Sequence, residues 1–75
     1  MLEKILEIVA NRTAIPLSSI LGDTNLLELD IDSLDIINIV MDVEYSFNVK
    51  FEDEEIVELR TPRDIEGIVL SKFSK

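Results

Sequence analysis

The chain has 75 residues, no cysteine, no histidine, and sixteen acids against seven bases, for a formal net charge of -9. That composition excludes a disulfide framework, a thiolate nucleophile and histidine-based metal chemistry, and it makes nucleic acid and anionic membrane poor partners, since both require a basic patch. With 47% hydrophobic residues it is far too apolar for a disordered acidic tail, and its length suits one small domain covering residues 1–75.

Leu2, Ile5, Leu6 and Val9 recur at helical spacing, with Glu3, Lys4 and Glu7 between them, so a first amphipathic helix is expected at the start of the chain. It should fail between Asn11 and Pro16, because the residue before a proline is pushed out of the helical region and proline donates no backbone bond. No apolar run reaches the about 20 residues that cross a bilayer, and Glu3 and Lys4 break any signal-like start, which points to a cytoplasmic protein. From Leu17 to Asp32, polar turn formers (Ser18, Ser19, Gly22, Asp23, Thr24, Asn25) alternate with Leu21, Leu26, Leu27 and Leu29. This reads as a long loop pinned to a core, and long loops in small domains are usually functional.

Asp32 is placed to cap a second helix, with Ser33 at its first position and Asp35 at its third. Ser33 would then stand exposed at the helix mouth. The helix should run to about Tyr45 or Phe47 and carries two apolar faces. At about 100° per residue, Ile36, Ile39, Val40, Val43 and Phe47 cluster on one, while Leu34, Ile37 and Met41 form another about 140° away. Burial and docking are equally open readings for the second face. Asp35, Asn38, Asp42 and Tyr45 fill the remaining sector.

After a connector at 48–51, Asp53 to Leu59 reads as a short acidic helix anchored by Ile56, Val57 and Leu59, with Glu52 to Glu55 as solvated acids. Thr61-Pro62-Arg63-Asp64 is a strong helix start, joining a capping threonine, a proline at the first position and an acid three residues past the cap. The final helix should reach about Phe73 and turn Ile65, Ile68, Val69 and Phe73 to the core, with Gly67 costing about 1 kcal/mol relative to alanine. The expected fold is all-α: a small four-helix bundle of three main helices and a short third one, with a long loop between helices one and two. The face carrying Ile36, Val40 and Val43 should meet Ile56, Leu59 and Ile65 in its core.

The tetrad Asp32-Ser33-Leu34-Asp35, followed by the apolar and acidic run to Glu44, together with this layout, resembles the acyl carrier proteins across essentially the whole chain. The resemblance implies that Ser33, flanked by Asp32 and Leu34, receives a 4'-phosphopantetheine group from coenzyme A through a separate holo-synthase, a phosphopantetheinyl transferase. The arm's terminal thiol would carry acyl groups as thioesters, which removes the puzzle of the missing cysteine. It also implies that helix two is a recognition helix for acyl-transfer and condensing enzymes with basic patches. By position, Asp35, Asp42 and Glu44 would supply the acidic contacts, and Leu34, Ile37 and Met41 the apolar ones. Independently, no lysine or arginine occurs from Thr13 through Val49, while seven acids fall between Asp23 and Glu44, a pattern suited to fast, salt-sensitive encounters. The resemblance further implies that an acyl chain could shelter between helices two and three, against Ile36, Val40, Val43, Ile56, Leu59 and Ile65.

The chain also departs from the family pattern. Asp30 stands where glycine is frequent, Asn38 where many fatty-acid carriers have a glutamate, Tyr45 where an acid is common and Ile36 where threonine is often found. These differences leave both a specialised carrier and the housekeeping one of fatty acid synthesis open, and Asp32 favours acyl over aminoacyl or peptidyl cargo. The rival reading is an acidic helical adaptor using the same surface of helix two without a prosthetic group. An enzyme is a poor fit, with no glycine-rich phosphate loop and too little volume for a buried site. A calcium loop is rejected: Asp30 and Asp32 mimic its start, but Leu34 takes the next ligand position and Asp35 stands where glycine should turn the chain. Weak divalent binding at the acidic surface remains open, no metal site is assigned, and the net charge favours a monomer.

Overall fold

The computed structural model describes residues 1–29 and 31–73; Asp30, singled out above as a family departure, lies outside them. Four helices account for most of these residues: α1 (Leu2–Thr13), α2 (Ser33–Phe47), α3 (Asp53–Val57) and α4 (Pro62–Phe73). Among the described residues there is no strand. The long loop between α1 and α2 contains two single 3-10 turns, Leu17–Ser19 and Leu26–Glu28.

Local chemistry sets each boundary. α1 ends where Ala14 turns into the left-handed region and donates its N–H to Ala10 O at 2.9 Å, two residues ahead of Pro16. α2 opens with a reciprocal capping box: Asp35 N–H donates to Asp32 Oδ1 at 3.1 Å, and Asp32 N–H to Asp35 Oδ2 at 3.4 Å. It closes on Asn48, again left-handed, a conformation asparagine tolerates better than most residues. α4 opens with a box of the same kind, in which Asp64 N–H donates to Thr61 Oγ1 and Thr61 N–H donates to Asp64 Oδ2, both at 3.1 Å.

α1 packs against both α2 and α4. The core consists of Ile5, Ile8 and Val9 from α1, Ile39, Val40 and Val43 from α2, Ile65 and Val69 from α4, and Ile20, Leu26, Phe51 and Leu59 from the connecting segments. Ile20 and Leu26 show why the long loop is not a free linker: its apolar residues are buried as deeply as those of the helices. Main-chain bonds also tie it to the α3–α4 turn, from Leu26 N–H to Arg60 O at 2.6 Å and from Arg63 N–H to Gly22 O at 3.0 Å. Gly22 is buried there, and a Cβ would stand 2.9 Å from the Arg63 guanidinium, so a larger residue would push that side chain aside.

Three details differ from expectation. α3 stops at Val57 rather than Leu59, because the chain must turn to bring Leu59 into the core and Thr61 to the head of α4. Val57, expected as an anchor, is exposed, as the short helix turns only one side to the bundle. Phe73 is about half exposed rather than in the core, lying at the last residue of α4 where the bundle no longer covers it.

Candidate functional site

The site is built around the mouth of α2. Ser33 occupies the first helical position and is exposed. Among the described residues no group holds its hydroxyl. The capping box spends the Asp35 amide on Asp32, which leaves the amides of Ser33 and Leu34 at the end of the helix where the dipole favours an anion. Asp32 and Asp35 oppose an anion there by charge, but each is held by a main-chain N–H of the same turn. An exposed, unpartnered hydroxyl beside free helix-end amides fits a phosphodiester attached through serine.

Beside Ser33 opens a cavity of about 410 Å³. Its walls come from Ile36 and Ile37 of α2, Ile56 and Val57 of α3, Leu27 of the long loop, and Leu59 and Arg60 of the α3–α4 turn. Of the six residues named above for an acyl pocket, Ile36, Ile56 and Leu59 line this cavity. Val40, Val43 and Ile65 do not; they sit deeper, at 2% exposure or less, within the core itself.

The second apolar face of α2 is open to solvent: Leu34 is 63%, Ile37 44% and Met41 57% exposed. Tyr45, one further turn along, is exposed as well. The acids named with that face are less free than their sequence positions suggest. Asp42 accepts from Arg12 of α1 at 2.6 Å (Nε to Oδ2) and 3.0 Å (Nη2 to Oδ1), a two-pronged ion pair. The Arg12 hydrogen bond holds the Asp42 carboxyl below its ordinary range against an opposing desolvation, and raises the guanidinium in turn. Glu44 Oε2 accepts from Phe51 N–H at 2.8 Å and so holds the α2–α3 connector. Asp35 belongs to the capping box.

Three features escaped the sequence reading. Leu27 and Arg60 reach the cavity only because Leu26 N–H binds Arg60 O, a contact across the fold with no local signature. Val57 reaches it from the exposed side of α3. Arg12 carried a weak signal, being the last cation before the long acidic stretch. Among the described residues no three carboxylates converge as metal ligands, and no helix is long and apolar enough to cross a membrane.

A helical bundle that presents a bare serine at a helix mouth beside an apolar cavity is the architecture of a carrier, suited to hold a tethered group rather than to transform one. Residues 3–69 match the family described as the phosphopantetheine attachment site. The acyl carrier protein of Kineococcus radiotolerans is 42% identical over 59 residues, covering 77% of this chain and 73% of its own. That of Thermosynechococcus vestitus is 32% identical over 74 residues, covering 97% and 91%. The crystal structure of the acyl carrier protein from Thermotoga maritima superimposes with a TM-score of 0.79 at 34% identity, covering 95% of this chain and 84% of that one. The chain belongs to the acyl carrier protein family. It is a carrier bearing a phosphopantetheine attachment domain, not an enzyme, and as such it is served by phosphopantetheinyl transferases and biosynthetic enzymes.

Proposed function

We propose that residues 1–75 form a single carrier domain in which Ser33 is the attachment point of 4'-phosphopantetheine. The observation that carries this is the exposed, unpartnered Ser33 hydroxyl at the first position of α2, opening onto the apolar cavity. In the loading step Ser33 Oγ forms a bond to the phosphorus of coenzyme A that bears the pantetheine. The pyrophosphate P–O bond breaks, adenosine 3',5'-bisphosphate leaves, and the serine proton passes to a base on the synthase. Ser33 and Leu34 would offer their main-chain amides to the new anion, and the capping box keeps the helix mouth in place. The bound group supplies a terminal thiol that holds acyl chains as thioesters.

Leu34, Ile37 and Met41 form the docking stripe for acyl-transfer and condensing enzymes of fatty acid or related lipid and polyketide synthesis. Asp35, Asp42 and Glu44 border it, each already holding a group of its own chain. Ile36, Ile56 and Leu59 supply the walls against which a carried chain lies. A cytoplasmic monomer is the state consistent with the charge and with the absence of a membrane-crossing helix among the described residues.

The test is intact mass after incubation with coenzyme A, magnesium and a broad-specificity phosphopantetheinyl transferase. Wild type should gain one phosphopantetheine and Ser33→Ala none, with the same circular dichroism for both. A gain that persists in Ser33→Ala would displace the site. No gain with two unrelated transferases would favour the adaptor reading.

A further inference from the structure

We propose that Arg60 makes the cavity beside Ser33 selective for acyl chains that carry an oxygen function, such as a hydroxyl or keto group, over plain alkyl chains. The inference rests on the attachment of the arm at Ser33. Apart from Ser33 at its edge, the cavity is walled by aliphatic side chains, and Arg60 is the one charged residue that lines it.

The chain has three arginines. Arg12 is paired with Asp42 and Arg63 with Asp23. Among the described residues Arg60 has no carboxylate partner, although the chain carries sixteen acids. Asp64 binds the main-chain N–H of Arg60 and of Thr61 and not the guanidinium.

Arg60 is also held in place. Nη1 donates to Val57 O at 3.0 Å and to Leu59 O at 2.8 Å, its main-chain N–H donates to Asp64 Oδ2 at 3.0 Å, and its main-chain carbonyl accepts from Leu26 N–H at 2.6 Å. Those bonds fix the side chain by one nitrogen and leave the Nε and Nη2 donors unspent. A fixed guanidinium with spare donors is suited to an oxygen acceptor and loses little freedom on binding one. An oxygenated chain entering a wholly aliphatic cavity would leave its oxygen unsatisfied, which is costly; Arg60 removes that cost and gives a charge-assisted hydrogen bond instead. A plain alkyl chain gains nothing from it.

The experiment loads octanoyl and 3-hydroxyoctanoyl groups from their coenzyme A thioesters onto wild type, Arg60→Met and Arg60→Lys, with loading followed by intact mass. Cleavage of each thioester by hydroxylamine is measured relative to the same acyl coenzyme A, and amide shifts are recorded for the unacylated and acylated arms. In wild type the hydroxylated chain should be protected about fivefold or more over octanoyl, the size expected of one partly solvated charge-assisted hydrogen bond. That ratio should fall to about one in Arg60→Met and be partly kept in Arg60→Lys. Arg60 also binds the carbonyl of Val57 at the end of α3 and that of Leu59 in the turn after it, so circular dichroism of each variant checks the fold.

Equal ratios in wild type and Arg60→Met would overturn the proposal and leave Arg60 as a helix cap. So would amide shifts at 57–60 that respond to the unacylated arm and not to the added hydroxyl, since the arm's own oxygens would then be the acceptor. Loading without discrimination defeats this inference alone. Failure to load defeats the attachment at Ser33, and this inference with it.

Discussion

Ile39 and Met41 stand two positions apart on α2, both large and apolar, yet one is fully buried in the core and the other is 57% exposed. Each belongs to a stripe, Ile39 with Val40 and Val43, Met41 with Leu34 and Ile37. The two stripes differ little in composition and completely in what covers them. Burying an aliphatic side chain is worth roughly 1.5–3 kcal/mol, so a bundle of this size would gain by covering the second stripe too. Leaving it open gives up that stability and keeps a contact surface next to Ser33. Stability resides on one side of the helix, and the exposed stripe proposed for docking lies on another.

Substitutions can break this contrast. The largest effect is expected from Ile39→Ala, which should cost about 2–5 kcal/mol in urea unfolding by lost burial and an unfilled cavity. Met41→Ala should stay within about 0.5 kcal/mol of wild type, yet slow transfer of a carried acyl group to a partner enzyme. If Met41→Ala destabilised the fold as much as Ile39→Ala, the second stripe would be core and the division of α2 would fail.

Asp32→Ala tests whether the helix mouth is kept apart from both faces. Loss of the cap should cost about 1 kcal/mol and fray the first turn, so that loading at Ser33 slows while amide shifts at Val43 hold still. The smallest effect concerns the edge of the stripe. Asp42 titrates below the ordinary aspartate range because Arg12 binds it. A pKa lowered by folding contributes stability that is full above the unfolded-state value of about 3.9 and is lost as the pH falls through the lower folded-state value. Asp42→Asn should therefore flatten the acid limb of the stability curve below about pH 4 and change little at pH 7, which thermal melts across that range would reveal.

Much of this was readable along the chain because it depends on neighbours in sequence. The capping boxes that open α2 and α4, Asp32 with Asp35 and Thr61 with Asp64, join residues three apart, and Pro16 limits α1 from two residues beyond its cap. The angular separation of the two stripes on α2 follows from helical periodicity. Sequence also carried the tetrad around Ser33, and with it the family. Val57 and Phe73 were misjudged because periodicity shows that residues share a face, not whether the neighbouring element is long enough to cover it. The same limit left burial and docking equally open for Leu34, Ile37 and Met41.

By itself, then, the sequence determined the helical bundle, its helix starts, the serine at the mouth of α2 and the exclusion of thiol and histidine chemistry, all matters of composition or of spacing within a few residues. The tertiary structure alone decided which apolar stripe is covered, that Arg12 reaches across 30 positions to Asp42, and that Arg60 closes one side of the cavity beside Ser33. The first two follow from the packing of α1 on α2, and the third from the long loop's crossing of the α3–α4 turn, where Leu26 and Gly22 bind the main chain of Arg60 and Arg63. No local pattern encodes such a contact, because its partners meet only once the helices have packed.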